Sequence, residues 1–194
     1  MPITLHDAET PPWPVHRFTV EQYHQLGALG ILSPEDGVEL LEGWIVEKMN
    51  HGPVHGFVVG LLTQRLFTIL PTGWIGRCQL PITTLKSEPE PDLAVVRGVH
   101  SDYRMRHPSG EDVTLIIEVT DTSVQRDRSK ASVYASAGVK EYWIVNLVEY
   151  QLEQFTDSDG TTFRKSNILK ASDIASIQID SHLIHLDLTE VLGK

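Results

Sequence analysis

Residues 113–119, VTLIIEV, form a run that is nearly all apolar and β-branched. Such a run fits a central strand covered on both faces, because a strand with one wet face would alternate. The segment after it is polar from Asp121, then carries a helical pattern over about 124–137, with Gly138 placed as its C-terminal stop. EYWIVNL, 141–147, is the next strand-like segment. A strand, a crossover helix and a second strand make a parallel pair joined by a right-handed connection. Upstream, the acidic, proline-rich SEPEP leads into DLAVV, a further short buried strand over 92–96. These segments predict an α/β fold with a mixed central sheet flanked by helices, not a bundle or a sandwich.

The remaining segments attach to that core. Pro11, Pro12 and Pro14 mark residues 1–17 as an irregular arm. Thr19 and Gln22 have capping-box spacing, and Phe18 with Tyr23 that of a hydrophobic staple, so a helix starts near Val20 and ends near Gly30. VELLEGWIVEKM reads as strands 38–41 and 44–48 around a Glu42-Gly43 turn. Pro53 suits the first turn of a helix. Val54, Val58, Leu61, Leu62, Leu66 and Ile69 then recur at helical spacing until Pro71 blocks continuation. Residues 74–85 look strand-like, and 97–112 form a polar loop. QLEQF, the DSDG turn and TTFRK form a hairpin, followed by further strands and turns. With no internal repeat or low-complexity linker, residues 18–194 read as one domain.

Composition bounds the function. No apolar run approaches the roughly 20 residues needed to span a bilayer, and MPITLHDAETPPWP has no signal-peptide character. Cys78 is the only cysteine, which excludes an internal disulfide and a cysteine-based zinc cluster and suits a cytoplasmic protein. The formal charge of −10 weighs against a nonspecific grip on nucleic acid, which needs a basic face. Clustered carboxylates that hold metal ions also contribute to such a total. GxGxxG, GxxxxGK[ST] and GxSxG are absent, and the nine histidines show no HExxH or other close metal-ligand spacing.

Glu118 stands near the end of the apolar run, where an unpaired carboxylate is costly to bury. Taken alone, it reads more readily as a strand-end residue facing solvent or paired with an arginine. Asp92 opens DLAVV directly after Pro91, at the edge of a second buried strand. Two carboxylates on neighbouring strands can converge on one Mg²⁺ or Mn²⁺, which take hard oxygen ligands. Asp127, Lys130 and Tyr134 fall at i, i+3 and i+7 on one face of the following helix. Helical side chains lean toward the N-terminus, so Lys130 leans back toward the Glu118 strand end. There its ammonium can position a water or stabilise charge on a phosphate; a solvated Asp–Lys pair is the plainer alternative. Tyr134 and Trp143 read as packing residues.

The order Pro91-Asp92, then an apolar strand ending Ile117-Glu118-Val119, resembles the PD-(D/E)xK nuclease superfamily. The motif lysine stands two residues after the glutamate in that pattern, and this chain has Thr120 there. Some branches carry the lysine on the following helix, and Lys130 fits that relocation. VELLEGWIVEKM, His55, EPEPDLAVV, LIIEVTDTS, RDRSKASVYASAGVKEYWIVNL and a closing hairpin, in that order over about 18–190, are similar to the Uma family, which shares this core.

The resemblance implies a restriction-endonuclease-like fold with an added C-terminal β-hairpin, and metal-dependent hydrolysis of phosphodiester bonds in nucleic acid, DNA first. Asp92, Glu118 and the Val119 backbone carbonyl would bind Mg²⁺ or Mn²⁺, and Lys130 would position the attacking water. Asp127 would orient Lys130. Glu39, matching an upstream acidic residue of such folds, would complete a second metal site or the outer shell. His55 could approach the site or a bound phosphate and ranks below Glu39. A homodimer is expected, since nucleases that cut two strands often pair and C2 dimers are the commonest oligomers. Two alternatives stay open: a catalytically silent binding or assembly protein on the same core, and a hydrolase of small phosphate esters.

Overall fold

The chain was analysed as a computed structural model that describes residues 13–122 and 124–193. Of the expected arm over 1–17, residues 1–12 lie outside the described residues, and 13–17 have neither helix nor strand. The helices are α1 (Val20–Ala28), α2 (Pro53–Thr68), α3 (Val124–Ser136) and α4 (Thr189–Leu192). The first strands are β1 (Val38–Leu41), β2 (Trp44–Glu47), β3 (Trp74–Cys78), β4 (Leu93–Arg97) and β5 (Val113–Thr120). They are followed by β6 (Glu141–Asn146), β7 (Gln151–Ser158), β8 (Phe163–Leu169), β9 (Ile174–Ile179) and β10 (His182–Asp187).

Six strands form one sheet in the order β3-β4-β5-β6-β7-β8. β5 and β6 pair in parallel, and the other neighbours are antiparallel. The three expected core strands therefore share one sheet, and α3 is the crossover that a parallel pair requires. All eight residues of β5 are buried, which accounts for its unbroken apolar run. One face of the sheet, carrying Leu93, Val95, Leu115, Ile117, Trp143 and Val145, packs under Val58, Leu62 and Leu66 of α2. The other face, carrying Ala94, Val96, Ile116, Tyr142 and Ile144, packs under Tyr134 of α3. Burying each large apolar side chain contributes about 1.5–3 kcal/mol, so a cavity at fully buried Leu62, on the core face of α2, would cost about 2–5 kcal/mol.

α1 starts as the Thr19–Gln22 spacing predicts. The Gln22 amide donates to the Thr19 hydroxyl at 3.1 Å, and the Thr19 amide donates to the Gln22 side chain at 2.9 Å. In the β1–β2 turn, Glu42 and Gly43 adopt φ of 50° and 80°, the paired positive values of a tight hairpin. A Cβ on Gly43 would meet Arg17 Cβ at 2.8 Å, so glycine also permits close approach of the chain entering α1.

One expectation needs correction. The strand expected over 74–85 ends at Cys78, because Gln79 turns to φ 49° and Pro81 has no N–H for a ladder. The chain from 79 to 91 folds back on itself, with the Ile82 amide donating to Pro89 O at 3.0 Å. This loop anchors the separate β1–β2 sheet: Glu88 N donates to Leu40 O at 2.7 Å and Gly43 N to Lys86 O at 2.9 Å. The hairpin expected over QLEQF–TTFRK forms as β7–β8. β7 and β8 are the outer strands of the main sheet, and the added C-terminal hairpin is β9–β10. Its residues Ala175, Ile177, Ile179 and Leu186 join the core on the α2 side.

Candidate functional site

Antiparallel register decides what meets at the end of the sheet. Leu93 pairs with Ile117, so Asp92, one residue before β4, falls opposite Glu118. Each carboxylate accepts a backbone N–H from the other's segment. Asp92 N donates to Glu118 Oε2 at 3.2 Å, and Val119 N donates to Asp92 Oδ2 at 2.8 Å. The two acids are thus held by the main chain as well as by packing.

α3 supplies the counter-charge. Lys130 Nζ donates to Glu118 Oε1 at 3.0 Å and lies 3.3 Å from Glu39 Oε1. Tyr134 donates its hydroxyl proton to the same Glu118 oxygen at 2.8 Å, so Tyr134 packs and also serves the site. Trp143 is a packing residue, fully buried, with its indole N–H on Glu141 at 3.0 Å. Glu39 accepts from Glu90 N at 3.1 Å and from Arg126 at 3.3 Å, and Arg126 also donates to Glu47 O of β2. Asp127 accepts from the Thr120 side chain. The expected Asp127–Lys130 pair is replaced: Glu118 and Glu39 hold Lys130, and the motif's usual lysine position, Thr120, holds Asp127.

Asp92, Glu118, Lys130, Asp127 and Glu39 are all buried. With Val119 they line one narrow cleft of about 60 Å³. Its electrostatics follow from Asp92, Glu118, Asp127 and Glu39 crowding around Lys130 and Arg126, with Glu90, Asp121 and Lys48 further along the lining. Burial pushes the Glu118 carboxyl up to about 7 against the pull of Lys130, with Asp92, Asp127 and Glu39 adding repulsion. Burial likewise raises Asp127 to about 6, opposed by Lys130 and the Thr120 hydrogen bond. Burial alone would lower Lys130, but Glu118, Glu39 and Asp127 outweigh it and hold the ammonium above its ordinary value.

This donor set fits a hard divalent cation. Glu118 Oε2 takes one backbone N–H, and Asp92 Oδ1 takes only a 3.4 Å contact from Gln79. Both oxygens retain lone pairs in a cleft with excess negative charge, the condition a divalent cation relieves.

Three neighbours exceed what the sequence suggested. His55, at the start of α2 and 1% exposed, meets Asp92 Oδ2 through Nε2 at 3.0 Å. His51 stacks on it, with ring centroids 3.7 Å apart and planes at 15°. His51, His55 and Asp92 each offer a donor atom, all within 4.8 Å of one another, which corrects the expectation that no histidines stand at metal-ligand spacing. Their i, i+4 spacing was visible, but Pro53 lies between them and starts the helix after His51. Arg126 was also missed, although it stands one turn before Lys130 on the same helix.

A family model described as "Putative restriction endonuclease", Uma2, matches residues 20–187. Among solved structures, "a putative nuclease belonging to DUF820" from Anabaena variabilis ATCC 29413 is similar, with a TM-score of 0.67 and 14% identity over 91% of this chain and 98% of that one. At that identity the likeness is one of fold. No curated protein matches the sequence. With a match that runs from the first residue of α1 to the last of β10, this chain belongs to the Uma2 family.

Proposed function

We propose that the protein is a metal-dependent endonuclease that hydrolyses phosphodiester bonds of nucleic acid, with DNA as the substrate. The observation that carries this reading is the convergence of Asp92 and Glu118, from adjacent strands, with Lys130 3.0 Å from Glu118. Mg²⁺ or Mn²⁺ held by Asp92, Glu118 and the Val119 carbonyl, with Glu39 in a second site or outer shell, would polarise the phosphate and acidify the attacking water.

The chain's own groups would do the rest. Lys130 stays an ammonium across the neutral range, so it can position the water and stabilise charge developing on the phosphate. Glu39 and Glu118 fix its direction, and Tyr134 keeps one Glu118 oxygen oriented toward it. Asp127 acts on Lys130 through its field, held in place by Thr120. Residues 18–194 would form one domain and residues 1–17 an arm. A cytoplasmic setting suits a chain whose one cysteine is free. Cutting both strands suits a homodimer, which light scattering checks: a mass matching one 21.7 kDa chain contradicts it.

The net charge of −10 favours a second reading, hydrolysis of small phosphate esters, for which an acidic surface is a weaker obstacle. One screen decides: DNA, RNA and small phosphodiesters, each with Mn²⁺ and with Mg²⁺. The proposal expects DNA cleavage that Asp92→Asn abolishes. Turnover of small esters alone selects the second reading, and no turnover by a folded, metal-loaded protein rejects both, leaving a silent binding protein.

A further inference from the structure

The proposed carboxylate site makes no use of His51 and His55, yet these imidazoles sit against it. Among the described residues His55 is the one ion-pair partner of Asp92, at 3.0 Å. Two ligands of a tetrahedral, zinc-sized ion bound at about 2.0–2.2 Å each stand about 3.3–3.6 Å apart, so His55 Nε2 and Asp92 Oδ2, at 3.0 Å, need part by only a few tenths of an ångström to share one. His51 adds a second ring nitrogen within 4.8 Å of both. It is exposed while His55 and Asp92 are buried, which gives the cluster an opening to solvent.

We propose that His51, His55 and Asp92 form a second metal site, for a borderline transition-metal ion of the Zn²⁺ class, with Asp92 shared between it and the carboxylate site. The donor chemistry separates the two. Asp92, Glu118 and the Val119 carbonyl offer only oxygen, which suits Mg²⁺ and Mn²⁺, whereas two imidazoles and one carboxylate suit Zn²⁺, Co²⁺ or Ni²⁺. Three protein ligands leave a position for water, the pattern of an open zinc site. Near-parallel stacking of two rings at 3.7 Å is awkward for two imidazoliums. A metal requires both imidazoles in the neutral, ligating form. This site stands whether the substrate is DNA or a small ester.

The test uses the full chain, stripped of metal with chelator, titrated with Zn²⁺ by calorimetry and with Co²⁺ by visible absorption. His51→Ala and His55→Gln should each weaken Zn²⁺ binding at least tenfold and remove the Co²⁺ bands. Glu118→Gln should keep Zn²⁺ affinity within about threefold while losing Mn²⁺ affinity, which separates this site from the carboxylate site. Because His51 is exposed, His51→Ala remains informative if His55→Gln does not fold. Unchanged Zn²⁺ binding in His51→Ala, absent Zn²⁺ binding in the folded wild type, or loss of Zn²⁺ binding in Glu118→Gln alone would each overturn the proposal, irrespective of cleavage.

Discussion

Glu118→Gln should stabilise the metal-free protein at pH 8 while removing a proposed metal ligand. Burial raises the Glu118 carboxyl from 4.5 to about 7, net of the attraction from Lys130. At about 1.4 kcal/mol per pH unit, keeping it ionised in the fold costs about 3 kcal/mol above pH 7. The sign follows from the raised value. Stability from the protonated form is complete below 4.5 and is lost as pH rises through about 7. A glutamine avoids that loss, and its carbonyl can still accept from Lys130 and Tyr134. Its amide would face Asp92 N, which now donates to Oε2 at 3.2 Å, and two opposed donors cost about 1–2 kcal/mol. The expected net gain is about 1–2 kcal/mol at pH 8, turning to a loss of about 1–2 kcal/mol at pH 4.5, where only the opposed donors remain. Urea denaturation in chelator at the two pH values measures it. With saturating Mn²⁺ the order should reverse, since only the wild type gains binding energy. A Glu118→Gln variant less stable than wild type at pH 8, or equally favoured at both pH values, refutes the reasoning.

Lys130→Met should cost about 3–5 kcal/mol at pH 8, because Glu39, Glu118 and Asp127 keep their charges without the ammonium, and less at pH 5, where Glu118 and Asp127 are protonated; denaturation at both pH values checks this. Asp92→Asn should abolish Mn²⁺ binding and DNA cleavage with an unchanged circular dichroism spectrum, measured by calorimetry and gel assay. Lys48 and Arg126 line the cleft and would meet backbone phosphates. Lys48→Gln and Arg126→Gln should each flatten the slope of log affinity against log salt by about 0.9, read from fluorescence anisotropy with labelled DNA. An unchanged slope removes that side chain from the DNA path.

The legible parts of the fold are those written in local pattern. β5 and β6 announce themselves because a doubly covered strand has no polar alternation to lose, and α1 because Thr19 and Gln22 cap each other locally. Lys130 was legible because helical side-chain direction is a local property, and its lean toward Glu118 is what the geometry shows. The end of β3 was not, since the turn at Gln79 depends on the 79–91 loop reaching across to β1. The partners of Lys130 were half legible. Asp127 is its near neighbour in sequence, but Glu39, on the β1 strand that the same loop anchors, is paired with its charge, at 3.3 Å. The stacking of His51 on His55 across Pro53 depends on the path into α2, which no periodicity encodes.

The β1–β2 pair is its own small sheet, bonded to the 79–91 loop by Leu40–Glu88 and Gly43–Lys86 and tied to α3 through Arg126 and Lys130, and it brings one acidic side chain, Glu39, to the cleft. Asp92, Glu118 and Lys130 rest instead on the six-stranded core and its crossover helix. Free energies of opening differ across such a boundary, with small, lightly attached sheets opening before central strands. Amide protons of β1 should therefore exchange with solvent through excursions that leave β4, β5 and α3 closed. In those excursions the cleft loses a wall and a carboxylate while Asp92, Glu118, Asp127 and Lys130 stay assembled. Exchange of β1 ahead of β4, β5 and α3 would mark the side of the cleft by which a bulky substrate can enter without the core coming apart.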